Sequence, residues 1–165
     1  MEAISFGDSI TWIGKSFLGT PYKEKTLEIG TEETLVVNLR GLDCTTFVEN
    51  VLAFGKVLRK NDASLGAFTE QLETIRYRNG KLKGYPSRLH YFTEWIANNE
   101  KKGIVTNITA QLDGIPLDKT INFMGTHRNS YPFLEDDSNY EGILKMEAHL
   151  ATEEFCYLPT AALET

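Results

Sequence analysis

Gly41-Leu42-Asp43-Cys44-Thr45-Thr46-Phe47-Val48-Glu49 constrains this chain more than any other stretch. A loop has to end there and a helix begin. Asp43 suits an N-cap, because its carboxylate can accept a hydrogen bond from a backbone N–H two or three residues on. Phe47, Val48, Val51, Leu52 and Leu58 then recur at helical spacing. The pattern predicts a helix to about Arg59, broken by Asn61 and Asp62. Cys44 falls on its first turn, where unpaired N–H groups and the positive helix end converge. That placement favours thiolate over thiol and offers backbone N–H groups to an oxyanion. A lone cysteine is also a common small core residue. Against burial stand the helix start and the polar Thr45-Thr46 pair, both poor helix formers; at this point both readings stay open.

The 165 residues amount to about one ordinary domain, long enough for a core without staples. A net charge of -6 argues against nucleic acid or an anionic membrane as the main partner. No stretch approaches the roughly 20 apolar residues of a membrane span. Met1 to Gly7 lacks a basic region followed by an apolar run, so no signal peptide is expected there. The two cysteines are Cys44 and Cys156. Cys156 lies in the apolar run Phe155 to Pro159 and reads as packing, not as a disulfide partner. Neither cysteine has another close by, which argues against a cysteine-based zinc site, and no metal or other cofactor is implied.

Along the chain, residues 8 to 18 predict a helix with Ile10, Ile13, Phe17 and Leu18 as its stripe, ended by Gly19. Glu33 to Leu39 is rich in β-formers and predicts a strand. A helix is expected from about Ser64 to Arg78, stopped by Asn79-Gly80. In Tyr85 to Ile96, Ser87 reads as an N-cap and Leu89, Phe92 and Ile96 as the core stripe, with Trp95 a further candidate. His90 and Glu94 would then share one helix face and pair. Ser87, Arg88, His90 and Tyr91 crowd one turn, as in a site wall, although amphipathic aromatic packing gives the same composition. Ile104 to Ile108, Lys119 to Met124 and Glu154 to Leu158 predict strands, residues 139 to 150 a helix, and Pro159 to Leu163 a last one. Asn107-Ile108-Thr109 matches a glycosylation acceptor, a tripeptide common by chance. His127 defaults to a solvated loop residue. With helices and strands mixed but no regular βαβ alternation, the class is α+β.

Several of these stretches together resemble a known family. Asp43-Cys44-Thr45-Thr46-Phe47-Val48-Glu49-Asn50, the upstream Gly19-Thr20-Pro21-Tyr22, Ser87 to Trp95, and Asn122-Phe123-Met124-Gly125-Thr126-His127 look like the N-acetylmuramoyl-L-alanine amidase-like group of the NlpC-type cell-wall cysteine amidases. The resemblance implies a papain-like α+β fold and hydrolysis of an amide in bacterial peptidoglycan, between muramic acid and L-alanine. It implies a setting in the cell envelope or periplasm. Cys44 would be the nucleophile, its own N–H binding the oxyanion. Tyr22 matches a tyrosine beside the nucleophile in the wider superfamily. Tyr22, Asp43, Ser87, Arg88 and Tyr91 would bind substrate, with Arg88 holding a carboxylate through two parallel hydrogen bonds. The superfamily's base is a histidine in a His-x-Gly context downstream, after a Gly-Asp pair. His90, His127 and His149 lack that context and no Gly-Asp follows Cys44. The resemblance therefore implies that these residues are one domain's N-terminal part, in which only His90 and His127 could substitute as the base, with His90, oriented by Glu94, the better candidate.

Two other functions remain in view. One is a non-catalytic muropeptide- or glycan-binding module of the same ancestry. The other is a glycoside hydrolase, which needs a carboxylate pair such as Glu49 and Glu94; with 23 acidic residues some such pair is nearly guaranteed.

Overall fold

A computed structural model describes residues 5–163. The chain divides into two compact units, Met1–Leu82 and Lys83–Thr165. Among the described residues it is helix-rich with one small sheet, an α+β composition.

The first unit carries helices α1 (Phe6–Ser16), α2 (Cys44–Arg59) and α3 (Leu65–Arg76). Each begins on a side-chain cap. Ser5 accepts from the Asp8 N–H, Asp43 from Thr46 and Ser64 from Ala67. Local caps of this kind are what a sequence displays most directly, and α2 and α3 start where their caps predict. α1 starts two residues before residue 8, because Ser5 is its cap. Helix α2 lies between the other two. At Gly55 a side-chain carbon would collide with Ile10 of α1, so glycine lets the two helices close. On the other side Phe54 packs on Phe68 of α3, ring centroids 4.4 Å apart. Val51, Ala53, Val57, Leu72 and Ile75 fill the interior. Asn79 (φ 54°) and Gly80 (φ 72°) end the α3 region in left-handed backbone, as Asn79-Gly80 foretells.

Glu33 to Leu39 forms no strand. Its β-formers find no neighbouring strand, and propensity alone makes no ladder. Its carbonyls are taken by side chains instead: Arg76 donates to the Val36 oxygen and the Tyr77 hydroxyl to that of Thr34.

The second unit contains α4 (Phe92–Lys101), α5 (Phe123–Thr126) and α6 (Asp137–Leu150), linked by 3-10 turns. Its core is Tyr85, Met124, Phe133, Leu134, Ile143, Met146 and Leu150. Tyr85 stacks on Phe133, centroids 4.9 Å apart. The sheet is two short strands, β1 (Ile115–Pro116) antiparallel to β2 (Cys156–Tyr157), with Ile115 opposite Tyr157. The helix expected over 139 to 150 is present, and the strand expected over 154 to 158 shrinks to β2. Ile104 to Ile108 is no strand: the Glu100 carboxylate takes the Asn107 N–H, and the Asn107 side chain takes that of Thr109. Asx-type bonds of this sort compete with a ladder. Lys119 to Met124 is likewise no strand, since α5 begins at Phe123. The last expected helix is a 3-10 turn, Thr160–Leu163. No helix among the described residues is long and apolar enough to cross a membrane.

Candidate active site

Asp43 and Thr46 fix the end of α2 reciprocally. Asp43 Oδ1 accepts from the Thr46 N–H at 2.7 Å, and the Thr46 hydroxyl accepts from the Asp43 N–H at 2.9 Å. This is a capping box with aspartate and threonine in the two roles. The Phe47 N–H goes to the Asp43 carbonyl at 3.0 Å. Of the first four N–H groups, which a helix cannot pair internally, those of Cys44 and Thr45 are left. One turn on, Asn50 donates to the Thr46 carbonyl at 2.7 Å.

Cys44 is exposed and a free thiol. It opens into a cleft of about 240 Å³ lined by Thr20, Tyr22, Leu42, Asp43, Cys44 and Phe47. Tyr22 is brought there by backbone. Residues 22 and 42 form a parallel bridge, in which the Lys23 N–H donates to the Leu42 carbonyl and the Leu42 N–H to that of Pro21. Phe17 meets Phe47 edge-on at 6.0 Å. Desolvation, then the negative charges of Cys44, Glu24 and Asp43, raise the Tyr22 hydroxyl above its ordinary pKa. Its ring is 70% exposed, so water screens these charges.

The stretch from Ser87 differs from the sequence expectation. Tyr85–Ser87 is a 3-10 turn, Arg88 has extended backbone, and α4 starts only at Phe92. Ser87 therefore caps no helix. Its hydroxyl donates to the Gly84 carbonyl at 2.7 Å and accepts from the Lys83 N–H at 2.8 Å. His90 precedes α4, so it and Glu94 do not share a helix face. The His90 Nε2 instead lies 2.9 Å from the Tyr85 carbonyl, and the two rings pack at 4.5 Å. A carbonyl only accepts, so Nε2 carries the hydrogen and, in the neutral ring, Nδ1 the lone pair.

Arg88 is buried with its guanidinium 4.9 Å from the Tyr85 ring. The Tyr91 hydroxyl donates to Glu147 at 2.6 Å and accepts from the Met124 N–H at 2.8 Å. Burial, and next the hydrogen bond to Glu147, push its pKa well above the ordinary tyrosine range. The hydroxyls of Ser87 and Tyr91 are thus engaged within their own unit. His127 is exposed and stacked on Phe123 at 3.9 Å, and His149 lies 3.6 Å from Glu153.

Glu49, weighed as a glycosidase carboxylate, is buried in an ion pair with Arg76 at 2.7 Å. A carboxylate held in that way is not offered to a sugar. Arg76 itself went unread in the sequence, where the sole sign was an acid among the apolar residues of α2. Thr20, Leu42 and Phe47 were not singled out as cleft residues either, although all three lie in the stretches that stood out.

No curated protein matches the chain. Among solved structures, an N-acetylmuramoyl-L-alanine amidase from Bacteroides uniformis is 36% identical, with a TM-score of 0.88 over 95% of this chain and 66% of its own. A Bacteroides fragilis protein, named a candidate xylanase, is 38% identical, with a TM-score of 0.82 over 90% of this chain and 65% of its own. A Legionella pneumophila protein is 26% identical, with a TM-score of 0.63 over 97% and 59%. The chain thus spans just under two thirds of the length of the first two. The family model for N-acetylmuramoyl-L-alanine amidase-like proteins matches residues 12–165. With that match over nearly all its length, the chain belongs to the N-acetylmuramoyl-L-alanine amidase-like family.

Proposed function

We propose that this chain carries the nucleophile of a cysteine amidase that cleaves the bond between N-acetylmuramic acid and L-alanine in peptidoglycan fragments of the cell envelope. Its fold would be the papain-like one of the NlpC-type enzymes. The observation that supports this most is the exposed Cys44 thiol on the first turn of a side-chain-capped helix, opening into the cleft beside Tyr22. The thiolate attacks the amide carbonyl carbon. The oxyanion accepts from the Cys44 N–H, with Thr45 N–H beside it. The carbon–nitrogen bond breaks, and the amine leaves with a proton from the base. Water then hydrolyses the thioester and returns the thiolate. Tyr22 and Asp43 border the substrate beside Cys44. In the same reading Arg88 binds a substrate carboxylate beside Ser87 and Tyr91. His90 is the base, its Nε2 held at the Tyr85 carbonyl.

The test is release of L-alanine peptide from a muropeptide. Cys44→Ala should abolish it with an unchanged circular dichroism spectrum; a retained rate removes the cysteine from the mechanism. His90→Gln should reduce it by about 10²-fold or more. A full rate in that variant would move the base elsewhere.

A further inference from the structure

We propose that Arg76, together with Tyr77, positions Cys44 by clamping the loop ahead of it onto the helix that carries it. The proposal rests on Cys44 being the nucleophile. From residue 17 to residue 43 the chain has no helix or strand, only the bridge between Tyr22 and Leu42. Its last residues, Leu42 and Asp43, run directly into Cys44. Where this loop lies therefore decides how the capping box sits and where the thiol faces.

One guanidinium joins loop and helix. Arg76 Nε donates to Glu49 Oε2 of α2 at 2.7 Å, and Nη1 donates to the Val36 carbonyl of the loop at 2.6 Å. The next residue adds a second tie. The Tyr77 hydroxyl donates toward Glu33 Oε1 at 2.8 Å and lies 3.2 Å from the Thr34 carbonyl. Arg76 is 2% exposed, Glu49 1% and Tyr77 0%. A buried ion pair is a poor route to stability, because desolving two charges offsets most of their attraction. What a rigid planar fork does supply is direction: two donors at fixed angle, one on each element. Lysine could keep the pair with Glu49 but not reach Val36 in the same geometry.

The experiment uses the full chain and reads Cys44 directly. The rate of alkylation by iodoacetamide is followed against pH, localised by mass spectrometry, alongside amide exchange over residues 33–42 and thermal unfolding. Tyr77→Phe deletes only the hydroxyl and should fold; Arg76→Lys is the stronger change. Exchange over 33–42 is expected to quicken by about tenfold. The Cys44 alkylation profile should shift, with a rate change of about threefold or more at neutral pH. A fall in melting temperature in Tyr77→Phe with the wild-type profile would mean that the clamp only stabilises, and would overturn the proposal. The readout needs no amide hydrolysis. If the profile shifts in the clamp variants but Cys44→Ala still cleaves muropeptide, the clamp holds Cys44 in place and the assignment of Cys44 as the nucleophile falls.

Discussion

Two stretches of this chain look alike on paper: Asp43 to Glu49 and Ser87 to Trp95. Each has a capping residue, a polar turn and an apolar stripe. Only the first becomes the helix start it resembles. At Asp43 the cap is answered three residues on by Thr46, and the reciprocal bonds close within one turn. At Ser87 the hydroxyl turns back to Gly84 and Lys83, and Pro86 is inside the 3-10 turn. The contrast teaches what polar residues are for in each place. In the first stretch they complete a helix end and leave a thiol in the open. In the second they are drawn inward, and Tyr91 becomes part of a network with Glu147, Met124 and Gly125.

The comparison breaks most sharply at Glu147. This 5% exposed carboxylate takes the Tyr91 hydroxyl and the Gly125 N–H. Glu147→Ala leaves two half-buried donors without their acceptor, at roughly 1–3 kcal/mol for such an orphaned group. A loss of about 3 kcal/mol in urea unfolding is expected. A loss under about 0.5 kcal/mol, the range of neutral surface changes, would mean that the network is ornamental.

The first stretch should be more forgiving. Asp43→Ala removes the carboxylate from the Thr46 N–H and hydroxyl, and losing an N-cap costs about 1–2 kcal/mol. Asp43→Asn, which retains an acceptor oxygen, should recover most of it. If Asn and Ala were equally damaging, charge rather than the hydrogen bond would be what Asp43 contributes.

The same contrast explains what could be read in advance. Helices α2, α3 and α6 are legible because cap and apolar stripe lie within the segment that folds. The placement of Cys44 on the first turn of α2 is legible for the same reason, whereas Tyr22 is named only through the resemblance and is brought beside Cys44 by the bridge to Leu42. Glu33 to Leu39 misleads, because β-formers imply a ladder but say nothing of a partner strand. The helix expected from Ser87 misleads, because α4 starts only at Phe92, after His90. Arg76 was invisible: its partners, Glu49 and Val36, are 27 and 40 residues away, and no local pattern encodes such a meeting.

The finest test sets one tyrosine from each region against the other. Both hydroxyls are raised with desolvation leading, but the causes that follow differ. At Tyr91 burial leads, followed by the bond to Glu147; at Tyr22 desolvation is followed by the charges of Cys44, Glu24 and Asp43. A raised pKa means that the folded state holds the proton more tightly than the unfolded chain. Tyr91 thus contributes stability that is complete below the ordinary tyrosine pKa of about 10. That contribution is lost as pH rises above it, toward the folded-state value. The urea midpoint should therefore fall on the alkaline side, and Tyr91→Phe should flatten that limb. Tyr22, mostly exposed, should respond to its charged neighbour. In a tyrosinate absorbance titration, with its signal assigned by difference from Tyr22→Phe, Cys44→Ser should bring Tyr22 ionisation to lower pH, because an anion beside it is gone. An unmoved Tyr22 midpoint would show that no thiolate stands near the ring when it ionises, and the cleft would lose the charge that distinguishes it from the buried network around Glu147.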